Sequence, residues 1–253
     1  FLKKSSAIVA INDSVVKDLS NFSFETPVYK IPNGRHLSLY SNVSFANISS
    51  FPKRLLYIGY LTKRKNQSYL LDVMKYLPKK EFTLDLIGAP LNDSYGNWLK
   101  EKASSEDLSV RFLGKIPHVE IPGYLSRAHF FVSASLMEVQ SLAVIEALAS
   151  GTPIISLNNE TTSEFVDDSV GYNFSASTPS EVFAAKVRDF SGFSIARYEK
   201  MCAKARERIA DLDWSNIAAQ TLEMYKKVLA SKDKTPRKLN GLRKLLKYID
   251  ISA

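Results

Sequence analysis

Short apolar runs rich in β-branched and aromatic residues alternate along this chain with stretches of helical periodicity. Strands that alternate with helices form βαβ units, which build a parallel sheet with helices on both faces. The sequence therefore predicts an α/β fold with a doubly wound parallel sheet, whose ligands bind at the carboxyl ends of the strands. The predicted strands are Ala7–Ile11, Leu55–Ile58, Phe82–Ile87, Val110–Leu113, His129–Val132, Pro153–Ser156 and Gly171–Phe174. The predicted helices are Gln67–Tyr76, Tyr95–Ser104, Ile121–Ala128 and Leu142–Ser150, followed by a helical region from Glu181 to about Ala230.

The composition is that of an ordinary globular protein. Its 253 residues, 45% of them hydrophobic, suffice for one large domain or two modest ones. The net charge of +8 is concentrated at the C-terminus, because positions 226–253 hold nine Lys and Arg against two Asp. The nearly neutral remainder lacks the basic face that binds nucleic acid, so no such partner is expected. A single cysteine, Cys202, excludes a disulfide within the chain and favours a reducing, cytoplasmic location.

The N-terminal residues indicate that the chain begins inside a fold. No apolar run approaches the roughly 18 residues of a membrane span, and no signal peptide is recognisable. The initiator methionine is missing, and residues 5–11 already have the pattern of a buried strand. We therefore expect a fragment of a longer protein. The predicted divisions are residues 1–32, the last elements of a mostly missing N-terminal domain; 33–52, a polar linker; 53–232, the main domain; and 233–253, a basic amphipathic tail.

The segment HFFVSASLMEVQSLAVIEALASGTPII, residues 129–155, carries the most chemical information. An apolar strand runs through a short polar loop directly into a helix. The amides and the dipole of a helix N-terminus suit a diphosphate, and Gln140, Ser141 and Leu142 would present those amides. Glu138 in the loop and Glu146 on the helix suit sugar hydroxyls, because a carboxylate accepts hydrogen bonds through two oxygens. The alternative is that both glutamates are ordinary solvated charges.

A second candidate is the segment YIGYLTKRKNQSYLL, residues 57–71. Its strand ends at Gly59, which permits close approach of the backbone to a ligand. A basic loop follows with Lys63, Arg64 and Lys65, and a helix begins near Asn66. A lysine at the carboxyl edge of the sheet can neutralise a departing diphosphate. The alternative for this segment is a solvated basic loop.

These segments together resemble the group 1 family of retaining GT-B glycosyltransferases, whose motif is a Glu, seven residues and a second Glu. Glu138 and Glu146 have this spacing, and the continuation EALASGTPII is typical of the family. The resemblance extends over about residues 5–230. Three further segments resemble the family. Ile31–Gly34 resembles the junction between its two domains, and Gly88 resembles its glycine turn. Phe112-Leu113-Gly114 resembles the strand end that meets the nucleotide base.

The resemblance implies a two-domain enzyme, of which this chain is the C-terminal, Rossmann-like half that binds a nucleotide sugar. The acceptor domain would lie in the missing N-terminal part. By this similarity Glu146 binds the ribose hydroxyls, Glu138 the donor sugar and Lys65 the diphosphate. Transfer would retain the anomeric configuration, with the departing phosphate acting as base. No metal or other cofactor is implied.

Two departures from the family pattern favour an alternative function. Tyr60 stands where the family usually has an arginine, and the loop after Glu138 lacks the usual glycines. Arg64 or Lys63 could replace the missing arginine. The alternative is a degenerate or non-catalytic nucleotide-sugar-binding module. A dehydrogenase is excluded, because no G-x-G-x-x-G turn follows Gly59.

Other polar features have simpler interpretations. Asp211-Leu212-Asp213 lies between helical stretches, where capping explains it better than a metal ion. The histidines at positions 36, 118 and 129 lack the spacing of a zinc site, and His118 is expected at a helix start or on the surface. The leucines and basic residues of 239–249 predict an amphipathic helix that docks on the missing domain or lies on anionic lipid. The second option would suit a lipid-linked acceptor and peripheral contact with the inner face of the membrane.

Overall fold

The six-stranded sheet of the computed structural model confirms the predicted α/β fold. The structure describes residues 5–23, 25–41 and 44–231, so the predicted tail at 233–253 lies outside the described residues. All strands of this sheet are parallel, in the order β5-β4-β3-β6-β7-β8. The strands are β3 (Lys53–Ile58), β4 (Phe82–Ile87), β5 (Val110–Gly114), β6 (Phe130–Ser133), β7 (Ile154–Leu157) and β8 (Gly171–Phe174).

A second, two-stranded parallel sheet precedes the main one. It pairs β1 (Ile8–Ala10) with β2 (Val28–Lys30), and helix α1 (Asp13–Ser20) connects them. Helix α1 begins after Asn12, whose side chain accepts a hydrogen bond from the Val15 amide at 2.8 Å. A buried strand was predicted near the N-terminus. The strand is present as β1, but only Ala10 in it is buried, and Val9 is exposed.

The order of the strands sets where a ligand can enter. The chain moves outward from β3 through β5, then returns to the middle of the sheet and continues in the opposite direction from β6 through β8. At this switch, the loops that follow β3 and β6 diverge to opposite faces and leave a crevice between them. We call residues 59–66 the first loop and residues 134–141 the second loop.

Helices cover both faces of the sheet, as the alternating pattern predicted. Successive side chains of a strand point in opposite directions. Along β3, Leu55 and Tyr57 therefore join the core on one face of the sheet, called the first core, and Leu56 joins the core on the other face, called the second core. The first face is covered by α3 (Gln67–Met74), α4 (Asp93–Ser105), α8 (Ser180–Ser191) and α9 (Ile195–Arg208). The second face is covered by α5 (Ile121–Leu125), α6 (Leu142–Ala149), α7 (Glu160–Phe165) and α10 (Trp214–Ser231).

Helices α2 and α7 were absent from the prediction. The segment 33–52, predicted as a polar linker, contains helix α2 (Ser38–Ser41). Tyr40 explains it, since its ring is buried in the second core and fixes the turn by tertiary packing rather than by helical periodicity. Helix α7 was not predicted, although Asn159 and Thr162 form the capping box that marks its start. Among the described residues, no helix is long and apolar enough to cross a membrane.

Gly88 and Gly59 bring the ends of β4 and β3 into close contact. Gly88 has φ +141°, and a Cβ atom on it would lie 2.0 Å from the Gly59 carbonyl oxygen. Gly59 has φ +153°, and a Cβ there would lie 2.7 Å from the buried Tyr57 hydroxyl. Only glycine fits at these two positions, so their conformation is a requirement of the strand ends.

We expect Gly88→Ala to lower the free energy of unfolding by about 2 kcal/mol, because the added carbon meets rigid backbone at a φ that L residues avoid. Urea unfolding of the chain measures the change. The matched control is Gly123→Ala within α5, where the nearest neighbour is the flexible end of Arg127 at 3.5 Å. That variant should be neutral or slightly stabilised. Equal destabilisation of both variants would contradict the steric explanation.

Candidate functional site

The first and second loops meet at the switch between β3 and β6. The Leu136 amide of the second loop donates to the Arg64 carbonyl of the first at 3.0 Å. The first loop is also held from inside by Gln67, which is fully buried. Its side chain donates to the Tyr60 carbonyl at 2.8 Å and accepts from the Thr62 amide at 3.2 Å. This clamp fixes the backbone that carries the three basic residues.

Lys65 and Glu138 form an ion pair across the two loops. Lys65 is the last residue of a short turn that begins after Thr62. The Lys65 amide donates a hydrogen bond to Thr62 Oγ1 at 3.3 Å. Glu138 is buried, and its Oε1 also accepts a hydrogen bond from the Ser135 hydroxyl at 2.7 Å. Its backbone amide donates to Glu160 Oε2 at 3.1 Å. The predicted sugar-binding carboxylate and the predicted phosphate-binding lysine are therefore in direct contact.

Glu146, one turn into α6, forms a second charged cluster. It is buried, and its Oε1 accepts from Arg35 Nε at 2.9 Å and lies 3.0 Å from His118 Nε2. The Tyr40 hydroxyl lies 3.2 Å from the same histidine nitrogen. Burial and the negative charge of Glu146 raise the pKa of Tyr40, so its phenol stays neutral at physiological pH.

Sequence reasoning did not find Arg35 or the role of His118. Arg35 is held in place because its amide donates to the Leu212 carbonyl and its carbonyl accepts from the Trp214 amide, both at 2.9 Å. His118 was expected at a helix start or on the surface. Both expectations are confirmed, since it opens the short helix His118–Glu120 and its ring is largely exposed; its Nε2 also contacts Glu146. A charged residue directly after the IPNG segment was the available signal for Arg35.

The second loop is tied to the N-terminal part of the chain at two points. The Asn12 carboxamide donates to the Val139 carbonyl, and the Asn33 amide donates to Gln140 Oε1 at 2.7 Å. Gln140 is buried, and its Nε2 has no hydrogen-bond partner among the described residues. The N-terminal part of the chain therefore holds the two residues that follow Glu138, Val139 through its carbonyl and Gln140 through its side chain.

The amides expected at the start of α6 are partly engaged. Helix α6 begins at Leu142, and Ser141 precedes it without a side-chain cap. The Ser141 amide donates to Thr161 Oγ1 at 2.8 Å. Of the three amides predicted to face a diphosphate, this one already has a partner.

The three cations of the first loop point to different places. Lys65 contacts Glu138, and Arg64 Nη1 lies 3.5 Å from the Met137 carbonyl of the second loop. Lys63 lines a separate cavity between α3 and α4. Tyr60 is 58% exposed. Of the two residues predicted as substitutes for the missing arginine, Arg64 is therefore the one that lies against the Glu138 loop.

Phe112 and Leu113, at the strand end predicted to meet the base, point to opposite faces of the sheet. Phe112 packs against the first core, whereas Leu113 packs against the second, the core to which α6 also belongs. A register shift in the pairing of β4 with β5 places Gly114 opposite Ile87. Leu113 is therefore the member of this pair that lies on the side of Glu146.

The family described as Glycosyl transferases group 1 matches residues 44–208. The chain belongs to the group 1 glycosyltransferases. It is 34% identical over 147 residues to the alpha-monoglucosyldiacylglycerol synthase of Streptococcus pneumoniae, a match that covers 57% of this chain and 32% of that protein.

Solved glycosyltransferase structures share the fold. Sucrose-phosphate synthase from Thermosynechococcus elongatus has a TM-score of 0.78 at 21% identity, covering 91% of this chain and 60% of that one. Anabaena HepE in complex with UDP-glucose has a TM-score of 0.77 at 19% identity, covering 88% and 64%. The chain thus spans less than two thirds of the relatives that it matches. The predicted group 1 GT-B fold is confirmed.

Proposed function

We propose that this chain is the donor-binding half of a retaining glycosyltransferase, which transfers a sugar from a nucleoside-diphosphate sugar to an acceptor. Glu146 binds the ribose hydroxyls, Glu138 the hydroxyls of the donor sugar, and Lys65 the diphosphate. Gly59 and Gly88 allow the phosphates close to the backbone, with Arg64 as a second cation. Leu113 and Phe112 form the strand end that the base approaches, and the helix start at Gln140, Ser141 and Leu142 faces the phosphates.

The contact between Lys65 and Glu138 is the observation that carries this proposal. In a nucleotide sugar the anomeric carbon is bonded directly to a phosphate oxygen. A carboxylate that binds the sugar and a cation that binds the phosphate must therefore lie a few ångströms apart. The two loops provide that pair at the switch point of the sheet, where ligands of doubly wound folds bind.

The same pair suits the chemistry of transfer. The bond between the anomeric carbon and the phosphate oxygen breaks as negative charge grows on the departing diphosphate, and the Lys65 ammonium stabilises that charge. The acceptor hydroxyl attacks from the same face, and its proton passes to the departing phosphate. Retention of configuration follows from this front-face attack. No step requires a metal ion.

An acceptor with a lipid part fits the proposal. The pneumococcal relative is named for a glucosyldiacylglycerol, and the predicted tail of this chain has the pattern of a helix that lies on anionic lipid. A cytoplasmic enzyme in peripheral contact with the membrane would meet such an acceptor. A non-catalytic nucleotide-sugar-binding module is the second candidate, and the exposed Tyr60 in place of the family's arginine favours it.

Calorimetric titration of the chain with UDP, ADP and GDP tests donor binding. We expect one of them to bind at least tenfold more tightly than the others, and its nucleotide sugar to bind as well. Glu138→Gln should lower the affinity for the nucleotide sugar more than the affinity for the free diphosphate. Glu199→Ala, on the exposed side of α9, should change neither affinity. Absence of binding for all three diphosphates would reject the proposal.

Turnover by the full-length protein separates the enzyme from the binding module. We expect slow hydrolysis of the bound nucleotide sugar, with the released sugar detected by proton NMR first as the α anomer when the donor is an α-glycoside. Release of the β anomer would contradict retention. Binding without any turnover, with acceptor lipids supplied, would favour the module.

A further inference from the structure

A cavity of about 450 Å³ opens between the starts of α3 and α4, and neither Glu138 nor Glu146 lines it. We call it the aromatic cavity. It is lined by Lys63, Ser68, Ser94, Tyr95 and Trp98. These residues combine a flat apolar wall with two hydroxyls and a cation.

The wall is a pair of stacked rings on α4. Tyr95 and Trp98 lie three positions apart on the helix, with ring centroids 5.7 Å apart and planes inclined by 22°. Trp98 is 45% exposed. The negative face of an aromatic ring attracts the C–H groups on the apolar face of a sugar ring, and the adjacent hydroxyls can bind its polar edge.

Lys63 gives the cavity a positive charge. Among the described residues, no carboxylate lies within 4.0 Å of its ammonium, whereas Lys65 two positions later is paired with Glu138. An unpaired lysine beside an aromatic wall favours an anionic ligand, because the ammonium supplies a charged donor that has no internal partner. The lysine also shares its turn with Lys65, so the cavity adjoins the diphosphate end of the donor site.

The aromatic cavity is distinct from the proposed nucleoside position. Helices α3 and α4 pack on the first core through Leu70 and Leu99, whereas α6, which carries Glu146, packs on the second core. The sheet therefore lies between the cavity and the proposed ribose carboxylate. A ligand of this cavity can be bound together with the nucleotide.

We propose that the aromatic cavity is a second saccharide site, which binds an anionic sugar unit of the acceptor or product chain beside the donor site. One ring stacks on Trp98, its hydroxyls bond Ser68 and Ser94, and its acidic group pairs with Lys63. That the ligand belongs to the acceptor or product rests on the proposed function, whereas binding of an acidic sugar in this cavity can be measured independently of it. Its place next to the first loop would hold an acidic glycan close to the reaction centre.

Calorimetry of the chain with a hyaluronan hexasaccharide, a uronate-containing probe, tests the proposal against neutral maltohexaose. We expect the uronate probe to bind at least fivefold more tightly. Trp98→Ala and Lys63→Gln should each weaken it at least fivefold. The controls Tyr76→Ala, an exposed aromatic two residues after α3, and Lys100→Gln on the exposed face of α4 should leave its affinity unchanged. Trp98→Leu replaces Trp98→Ala if the latter unfolds.

A parallel titration with UDP, ADP and GDP separates this site from the donor site. Trp98→Ala should leave the affinity for the bound nucleotide unchanged, and the uronate probe should bind equally well when that nucleotide is saturating. Failure of nucleotide binding alone would affect only the donor proposal. No uronate binding, equal affinity for both oligosaccharides, no effect of Trp98→Leu, or competition with the nucleotide would each overturn the second site.

Discussion

Under the proposed function, Lys65→Met will lower kcat of the full-length protein by about 10²–10³-fold, because the ammonium would stabilise the charge that develops on the departing diphosphate in the transition state. The free diphosphate already carries its charge, so its affinity should fall less, by roughly tenfold. The first loop should keep its shape, since Gln67 and Thr62 hold its backbone independently of the lysine side chain. Steady-state kinetics and calorimetry of the same variant measure the two effects.

Two comparisons make this test specific. Lys80→Met removes an exposed lysine outside the site and should leave both values unchanged. In the double variant Lys65→Met/Glu138→Gln, the loss of transition-state stabilisation should be smaller than the sum of the losses in the two single variants. Each single variant leaves the other member of the ion pair without its partner. A kcat loss no larger than the loss of affinity would mean that Lys65 binds the ground state only.

The strands and helices were largely predictable because their patterns are local. Apolar runs such as Phe82–Ile87 have the composition and length of buried parallel strands, and the observed bounds of that strand agree with the prediction. Helix α2 could not be predicted in the same way. Its four residues fold because Tyr40 packs against elements far away in sequence, and no local periodicity records that contact.

The same distinction between local patterns and long-range contacts applies to the candidate site. Glu138 and Glu146 were found from a spacing within one segment, and Lys65 from a strand-to-helix turn. Their partners come from distant segments. Arg35 lies 111 positions before Glu146, and backbone hydrogen bonds to Leu212 and Trp214 hold it where its side chain contacts Glu146. The strand order that brings the first and second loops together is likewise a property of topology, which the alternation of strands and helices does not determine.

Glu146→Gln will weaken binding of the nucleoside diphosphate by roughly 10- to 100-fold, because a charged acceptor contributes about 1.5–3 kcal/mol to hydrogen bonds with ribose hydroxyls. Glutamine keeps the size of the side chain, so the packing of α6 is preserved. Calorimetric titration of this chain with the nucleoside diphosphate measures the change in affinity. Arg35 and His118 lose their ionic partner in the same variant, and a purely structural role of Glu146 would also reduce affinity.

The 2′,3′-dideoxy form of the tightest-binding diphosphate distinguishes these two explanations. If Glu146 binds the ribose directly, removing both hydroxyls should cost the wild-type chain at least tenfold in affinity and cost Glu146→Gln little, since the interaction is already lost. If Glu146 only holds Arg35 and His118, the hydroxyls will contribute equally in both proteins. In that event Arg35→Ala should reproduce the defect of Glu146→Gln, and the assignment of the ribose site to this carboxylate would be wrong.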